Sequence, residues 1–480
     1  MNKLFVSAFL LVSFSSFSQS ALTLFEVVEI AKSNSIYAKR AETTKENRYW
    51  QYKTYQAGLL PQLSLNGNVP TFTKAYRGIL QNDGTILYQN LNRNVAELNL
   101  SLTQVISKTG GAISLSSSLD RVDDFNKNTL VFGGDPISLG FNQPLFGFNS
   151  YKWEKRIEPL RYEESKREFV EEFEQISSIA SSLFFDLLTA QISLQIANQN
   201  VMSNDTIYKI AQGRYRLGKI PENELLQLEL SLMNSRQSVA QAELNLEITQ
   251  LRLKSYLGFA KGENLQLVLP AELPEFDVNE DMALSMAKNN RSDAIAFKRR
   301  VFEAEREVNR AVGTSGLNAN LAGSLGLTNQ GSYVSQVYEN PGNQLVAEIR
   351  FGIPIVDWGL QKAIKRTAEA NLRLVEYTVQ ADSLTFEEEV FTQVRTFKML
   401  RNQVAISQKA DEISQKRYDI SKNRYLIGKI SITDLSLALT EKDRAKQDYL
   451  MSLGNFWAAY YRLRALTLYD FATEKLLYVP

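Results

Sequence analysis

The chain has 480 residues, 44% of them hydrophobic and 22% charged, and its 54 Lys and Arg against 53 Asp and Glu leave a net charge of +1. These are globular proportions that argue against wholesale disorder, and the even balance leaves no electrostatic footprint for nucleic acid. Cysteine and histidine are both absent, which removes thiol nucleophiles, disulfides, thiolate and imidazole metal sites and the commonest general base. Phosphate-cradling and nucleophile-elbow motifs are also missing from the sequence, so no enzyme, cofactor or metal centre is expected.

Met1-Asn2-Lys3, the apolar stretch from Leu4 to Phe17 and the small residues up to Ala21 have the layout of a secretory signal over residues 1–20. Beyond residue 21 no uninterrupted apolar run reaches the length of a membrane-spanning helix. The mature chain is therefore expected either to be soluble outside the cytoplasm or to cross a membrane by strands. Without cysteine, packing or assembly must hold the fold.

Helical patterning opens the mature chain, from Leu24 to about Ala57. Alternating segments follow: Leu63 and Leu65 with Ser64 and Asn66, then Leu98, Leu100 and Leu102 with Asn99, Ser101 and Thr103, then Ile137, Leu139 and Phe141 with Ser138 and Gly140. Runs with one apolar and one polar face suit a membrane barrel with a wet lumen and equally suit a half-buried soluble sheet. The polar stretches Tyr76 to Asn94, Val122 to Asn128 and Thr328 to Gln344 are expected to be exposed loops, and Ser107 to Ala112 a hairpin turn without counterpart later in the chain.

A long helical pattern comes next. Ile176, Ala180, Leu183, Leu187, Ala190, Leu194, Ala197 and Val201 step by four and three, the spacing of a coiled-coil seam. Leu225, Leu228, Leu232, Val239, Ala242, Leu246 and Leu253 give a returning stripe. Between the two, Gly218 supplies a left-handed helix stop and Pro221 a helix start. A linker over 258–279 leads to a second helical pattern from about Glu280 to Val312. Alternation recurs at Leu345, Ala347, Ile349, Phe351 and Ile353, and a helix is then expected from about Gly359 to Ile427, on the order of 100 Å long. Gly428 is its stop, and Ser431 with Asp434 predicts a capping box at the start of the last helix. A short tail occupies 470–480.

The chain is duplicated. Tyr208, Ile210, Arg214, Tyr215, Gly218, Lys219 and Ile220 recur as Tyr418, Ile420, Arg424, Tyr425, Gly428, Lys429 and Ile430, a shift of 418 − 208 = 210 positions. Phe141, Pro144 and Arg156 move onto Phe351, Pro354 and Arg366, and Arg252 and Leu253 onto Arg462 and Leu463, by the same shift. Two repeats, 21–257 and 280–469, each carry a helix, strands and a long antiparallel helical hairpin with tips near 218–221 and 428–431.

This plan resembles the TolC family of outer-membrane efflux channels. The stretch from Leu22 to Asn34 is similar to that family's opening helix, and Ala57-Gly-Leu-Leu-Pro61 to its approach to the first strand. Gln143 to Phe146 and Ile353 to Gly359 resemble its sheet-to-helix corners, and Arg-Tyr-x-x-Gly at both tips resembles its hairpin-tip signature. The resemblance implies a mostly α protein with a β-barrel portion: a homotrimer sharing one barrel in the outer membrane, continued by a helical tunnel in the periplasm. It also implies four strands per copy and so twelve in the barrel. An alternating hairpin over Leu98 to Leu119, extra in the first half, departs from that count. Open sheet edges agree that one copy is not enough, because lipid tolerates none.

Further implications of the resemblance are a periplasmic adaptor and an inner-membrane transporter as partners, with outer-membrane lipid around the barrel and no nucleic acid. Asp434 matches an acid of the family's constriction ring, Glu224 the acidic tip residue of the first hairpin, and Tyr425 the tyrosine that bonds to it. Leu437 and Ile430 stand where a second ring acid and a basic link are expected, so the gate should be weaker or differently wired. Asp434 also reads simply as a helix cap. Arg214, Tyr215, Gly218, Lys219, Arg424, Gly428 and Lys429 are the residues expected to meet the adaptor. The function so implied is the passive exit duct of a tripartite efflux pump or type I secretion system. The competing reading is a soluble periplasmic coiled-coil adaptor or scaffold; a carboxylate hydrolase has no motif behind it.

Overall fold

The computed structural model describes residues 21–259, 264–270 and 272–478; the expected signal segment lies outside them. Among the described residues the order is α1 (Leu24–Asn34), α2 (Ile36–Gly58), β1 (Gln62–Leu80), β2 (Ile86–Ile106), β3 (Gly111–Asp124), β4 (Thr129–Pro144), α3 (Ser150–Arg216), α4 (Glu222–Leu257), α5 (Glu280–Asn290), α6 (Ser292–Thr314), β5 (Asn318–Gly331), α7 (Val334–Tyr338), β6 (Gly342–Gly352), α8 (Leu360–Leu426), α9 (Ile432–Thr467), β7 (Tyr469–Asp470) and β8 (Lys475–Leu476). The duplication is written into these bounds. Helices α3 and α8 both run for 67 residues and start 360 − 150 = 210 positions apart; α4 and α9 both run for 36 residues with the same offset, 432 − 222 = 210.

By contacts the chain forms two compact units that cut across the repeats: one holds residues up to Lys45, Lys166–Arg291 and Thr385–Pro480, the other Glu46–Ser165 and Ser292–Leu384. The second unit contains the main sheet, an antiparallel run in the order β1-β2-β3-β4-β5-β6. Its register sets one leucine of each strand side by side: Leu63, Leu102, Leu115, Leu139, Leu325 and Leu345 are successive partners. One position along each strand, on the other face, the row reads Ser64, Ser101, Ser116, Ser138, Gly326 and Gln344. Side chains alternate faces along a strand, so one face of the sheet is a belt of leucine and the other is small and polar. The leucines are exposed. Beside the sheet, Arg161 and Arg299 share the Glu303 carboxylate at 2.6 and 2.9 Å, and Arg299 reaches Glu164 at 2.8 Å, tying α3 to α6.

Three loop expectations change. Tyr76 to Asn94 is strand on both sides of a short turn at 81–85, since Tyr76 pairs with Asn90 and Phe72 with Asn94. Val122 to Asn128 keeps only 125–128 outside strands, and Thr328 to Gln344 contains α7. The ladder satisfies the main-chain groups of Gly and Asn as well as those of any other residue, so composition hid these strands. The hairpin turn before Gly111 is present, with Ile106 and Gly111 as its closing pair.

The first unit is helical. Leu24, Val27 and Val28 of α1, Ala180, Phe184 and Leu187 of α3, and Leu453, Phe456 and Trp457 of α9 are all buried. An aromatic cluster continues this core: Phe276, Phe397, Phe456, Trp457 and Tyr460 stack or meet edge-on at centroid distances of 5.1 to 5.8 Å. Helix α3 does hold one window long and apolar enough to cross a membrane. Its Ala180, Phe184, Leu187 and Leu188 are buried, so one face of this helix contributes to the core of the first unit. Beside the core, Arg464 donates to Glu174 at 3.1 Å and to Asp470 at 3.2 Å, and Tyr460 donates its hydroxyl to Asp470 at 2.9 Å. That network pins the residues that follow α9.

Candidate gate at the hairpin tips

Both tips are built alike. Gly218 and Gly428 take φ of +68° and +74°, the left-handed region that costs a Cβ-bearing residue most. Gly218 N–H bonds to Tyr215 O at 2.8 Å and Lys219 N–H to Arg214 O at 2.9 Å; Gly428 and Lys429 repeat these bonds to Tyr425 O and Arg424 O at the same distances. This paired closure is the Schellman stop. The next helices begin differently. Ser431 and Asp434 form a reciprocal capping box, with Ser431 Oγ to Asp434 Oδ2 at 2.8 Å and Asp434 N–H to Ser431 Oγ at 3.2 Å. Pro221 offers no side-chain cap, which leaves the Glu224 carboxylate free for another partner.

That partner is Tyr425. Its hydroxyl donates to Glu224 Oε1 at 3.2 Å, and its ring is 2% exposed in a cluster with Ile207, Ala211, Leu228, Tyr418, Ile432 and Leu435. Burial first, and then the adjacent Glu224 carboxylate, push the phenol up to about 12. Arg214 packs over the Tyr425 ring, 5.8 Å to its centroid. Its guanidinium donates to Leu426 O and, at 3.3 Å, to Tyr425 O, which already accepts from Gly428 N–H, and so places a cation at the end of α8 where the helix dipole is negative. Tyr418 enters the same groove, its hydroxyl 3.2 Å from Ser203 Oγ.

The structure thus joins Glu224, Tyr425 and Arg214. It leaves Tyr215, Lys219, Arg424, Lys429 and Asp434 exposed, with Leu437 exposed where a second ring acid was expected. Sequence reasoning missed the Arg214-to-carbonyl bonds and Tyr418. The signal was present: Tyr208 and Tyr418 recur ten residues, nearly three helical turns, before the glycine of each tip, and a repeated aromatic on a seam implies a repeated socket. Under the 210 shift Glu224 itself falls on Asp434, so the two acids treated as separate features are one position in two repeats.

A sheet with a leucine belt on one face and a serine-rich surface on the other, joined in each repeat to a long helical hairpin with a tight tip, defines the class of outer-membrane channel-tunnels. Comparison with known proteins agrees. The family profile of the outer membrane efflux proteins matches residues 112–259 and 283–467. The chain belongs to this family, the TolC-type outer membrane factors. Among solved structures it is similar to the CmeC outer membrane channel of Campylobacter jejuni, with 17% identity, a TM-score of 0.67, and coverage of 97% of this chain and 94% of that one. It is also similar to the outer membrane protein VceC of Vibrio cholerae (12% identity, TM-score 0.64, 92% and 96% covered) and to the open-state MtrE outer membrane channel of Neisseria gonorrhoeae (15%, 0.62, 92% and 88%). At these identities the likeness speaks to the fold. No curated protein matches the chain.

Proposed function

We propose that three copies of this chain form a passive exit duct across the outer membrane, docked at its hairpin tips by a periplasmic adaptor and energised by an inner-membrane transporter. The duct would serve a tripartite efflux pump or a type I secretion system. The observation that carries the reading is a broken equivalence at the tips. In the first repeat the groove of Ile207, Ala211, Arg214, Ile220 and Glu224 is filled by Tyr418 and Tyr425 of the second repeat. The positions 210 residues on, Arg417, Ser421, Arg424, Ile430 and Asp434, line an open groove. The tyrosine that would fill it by the same rule, Tyr215, is 40% exposed. One chain can satisfy only one of the two sockets. A ring of copies satisfies all of them, with Tyr215 of each copy entering the second-repeat groove of its neighbour and Arg424 capping the neighbour's α3. The exposed Ile355, Val356 and Trp358 at a sheet-to-helix corner suit the membrane–water boundary, where tryptophan concentrates.

Native mass measurement in detergent gives the copy number, and Tyr215→Ala tests the socket. The variant should lower the temperature at which the oligomer dissociates, and Tyr215→Phe should largely keep it; an unaltered dissociation temperature with alanine removes the tip socket from the assembly. Asp434 is the place for a cation-binding constriction, because three converging carboxylates repel one another and attract cations. In planar bilayers Asp434→Asn, which retains a capping acceptor without the charge, should abolish divalent-cation block as fully as Asp434→Ala. Loss of block in the alanine variant alone would reduce Asp434 to a helix cap.

A further inference from the structure

We propose that the first repeat carries an inserted transmembrane hairpin, so that each copy supplies six membrane strands and three copies close an eighteen-stranded barrel through pairing of β6 with β1 of the next copy. This departs from the twelve strands the family resemblance implies, and it rests on the trimeric reading above.

The first support is arithmetic. Helices α1 and α2 match α5 and α6 in length, 11 with 11 and 23 with 23 residues, at an offset of 280 − 24 = 292 − 36 = 256. Everything from α3 onward matches at 210. The first repeat therefore gains 256 − 210 = 46 residues between α2 and α3. Strand β5 begins at 318; minus 256 this is 62, the first residue of β1, and minus 210 it is 108, just before β3. The gain is thus one hairpin's worth of chain between α2 and α3: the first repeat has four strands there, β1 to β4, where the second has two, β5 and β6. The extra alternating hairpin that the sequence shows over Leu98 to Leu119 falls on parts of β2 and β3.

The second support is chemical. An inserted hairpin lying outside the membrane has no use for an exposed apolar face, yet Leu63, Leu65, Leu98, Leu100 and Leu102 carry one. Leu63 and Leu102 continue the leucine row of β3 to β6, and Ser64 and Ser101 continue the serine row. Strands β2 and β3 pair without a break from Arg93 with Asp124 to Ile106 with Gly111, so the hairpin belongs to the same sheet surface. The outer edges of β1 and β6 have no strand partner among the described residues. Lipid forbids open edges, and pairing β6 with β1 of another copy closes both edges with the leucine face on one side throughout; the tilt of barrel strands staggers that junction, and a stagger of about six residues pairs the whole of β6, Gly342–Gly352, with 62–72 of β1 and sets Ile349 beside Leu65. Barrel diameter grows roughly linearly with strand number, and sixteen to eighteen strands leave an aqueous channel. The inserted hairpin would then make the outer-membrane portion about half again as wide as a twelve-stranded barrel, with serine and glycine facing the lumen.

The chain has no cysteine, so engineered thiols report alone. Leu65→Cys on β1 combined with Ile349→Cys on β6 is compared with Leu115→Cys on β3 combined with Ile349→Cys, in oligomers of known native mass. A thiol cross-linker reaching about 10 Å, two strand spacings, should give covalent dimers and trimers at least tenfold more abundant for the β1–β6 pair. Cross-linking of the β3–β6 pair instead, or of neither pair in intact trimers, overturns the eighteen-stranded barrel. Absence of trimers by mass overturns the assembly reading itself. A second measurement avoids paired variants: in phosphatidylcholine vesicles a fluorophore on Leu100→Cys should be quenched by brominated lipid and one on Ser101→Cys should not. Equal, weak quenching of both would place the hairpin outside the membrane.

Discussion

Tyr425→Ala is expected to open the hairpin tips. The ring is almost completely buried between α3, α4, α8 and α9, and truncating a large buried aromatic to alanine costs about 3–5 kcal/mol. The cost falls on a helix end that has little other core, so the response should be local: faster amide exchange over 207–228 and 418–438, and a larger resting ion leak after reconstitution. Tyr425→Phe keeps the packing and loses only the hydroxyl-to-Glu224 bond, about 1.5–3 kcal/mol for a bond to a charged acceptor, and should leak less. The phenol is held up at about 12, so the fold favours its neutral form. Its contribution is complete below the ordinary tyrosine value of about 10 and is lost as pH rises through about 12. The native protein should therefore lose tip protection in that alkaline window, and Tyr425→Phe should lose none there. Identical alkaline profiles would detach the phenol from the contact.

Arg464→Ala is expected to lower global stability by about 3–5 kcal/mol, the cost of stranding a buried charge. Burial disfavours the guanidinium's charge, but the carboxylates of Glu174 and Asp470 beside it win and keep its pKa above the ordinary arginine value. Burial likewise pushes Asp470 up, and Arg464 with the hydroxyls of Tyr460 and Thr473 outweighs it, so this carboxyl sits below its usual range. Removal of Arg464 leaves Glu174 and Asp470 nearly inaccessible, with Lys32 still 3.4 Å from Glu174. A depressed carboxyl stabilises the fold above its unfolded value of about 3.9 and ceases to as pH falls through the folded one. Denaturant unfolding should accordingly show the gap between native protein and Arg464→Ala narrowing from pH 7 to below pH 4. A gap that stays constant would mean the arginine acts by packing alone.

The helical half of the fold was legible because its signals are local. Gly218 and Gly428 mark the tips, Ser431 and Asp434 the cap, and the four-and-three stripes fix which helix faces pack, all within a few residues of the feature they specify. The sheet was legible only in part. Leucine alternation at Leu63, Leu100 and Leu139 announced strands, but Tyr76 to Asn94 read as loop because asparagine and glycine there signal turns and the ladder that overrides them comes from the partner strand. At the site, Glu224 and Tyr425 were found by resemblance, and Arg214 was assigned to the surface although its guanidinium donates to carbonyls at the end of α8.

The sequence alone determined that this protein is a duplication, that each half ends in a tight hairpin tip, and that both tips carry the same Arg-Tyr pair with an acid ten residues beyond the arginine. It could not say which tyrosine is buried. Tyr215 and Tyr425 have the same neighbours along the chain, and burial is a property of what packs across space. The tertiary structure decided it: the first repeat's groove lies against the second repeat of the same chain and takes Tyr425, and the second repeat's groove has no third repeat to fill it. Connectivity, not composition, breaks the equivalence.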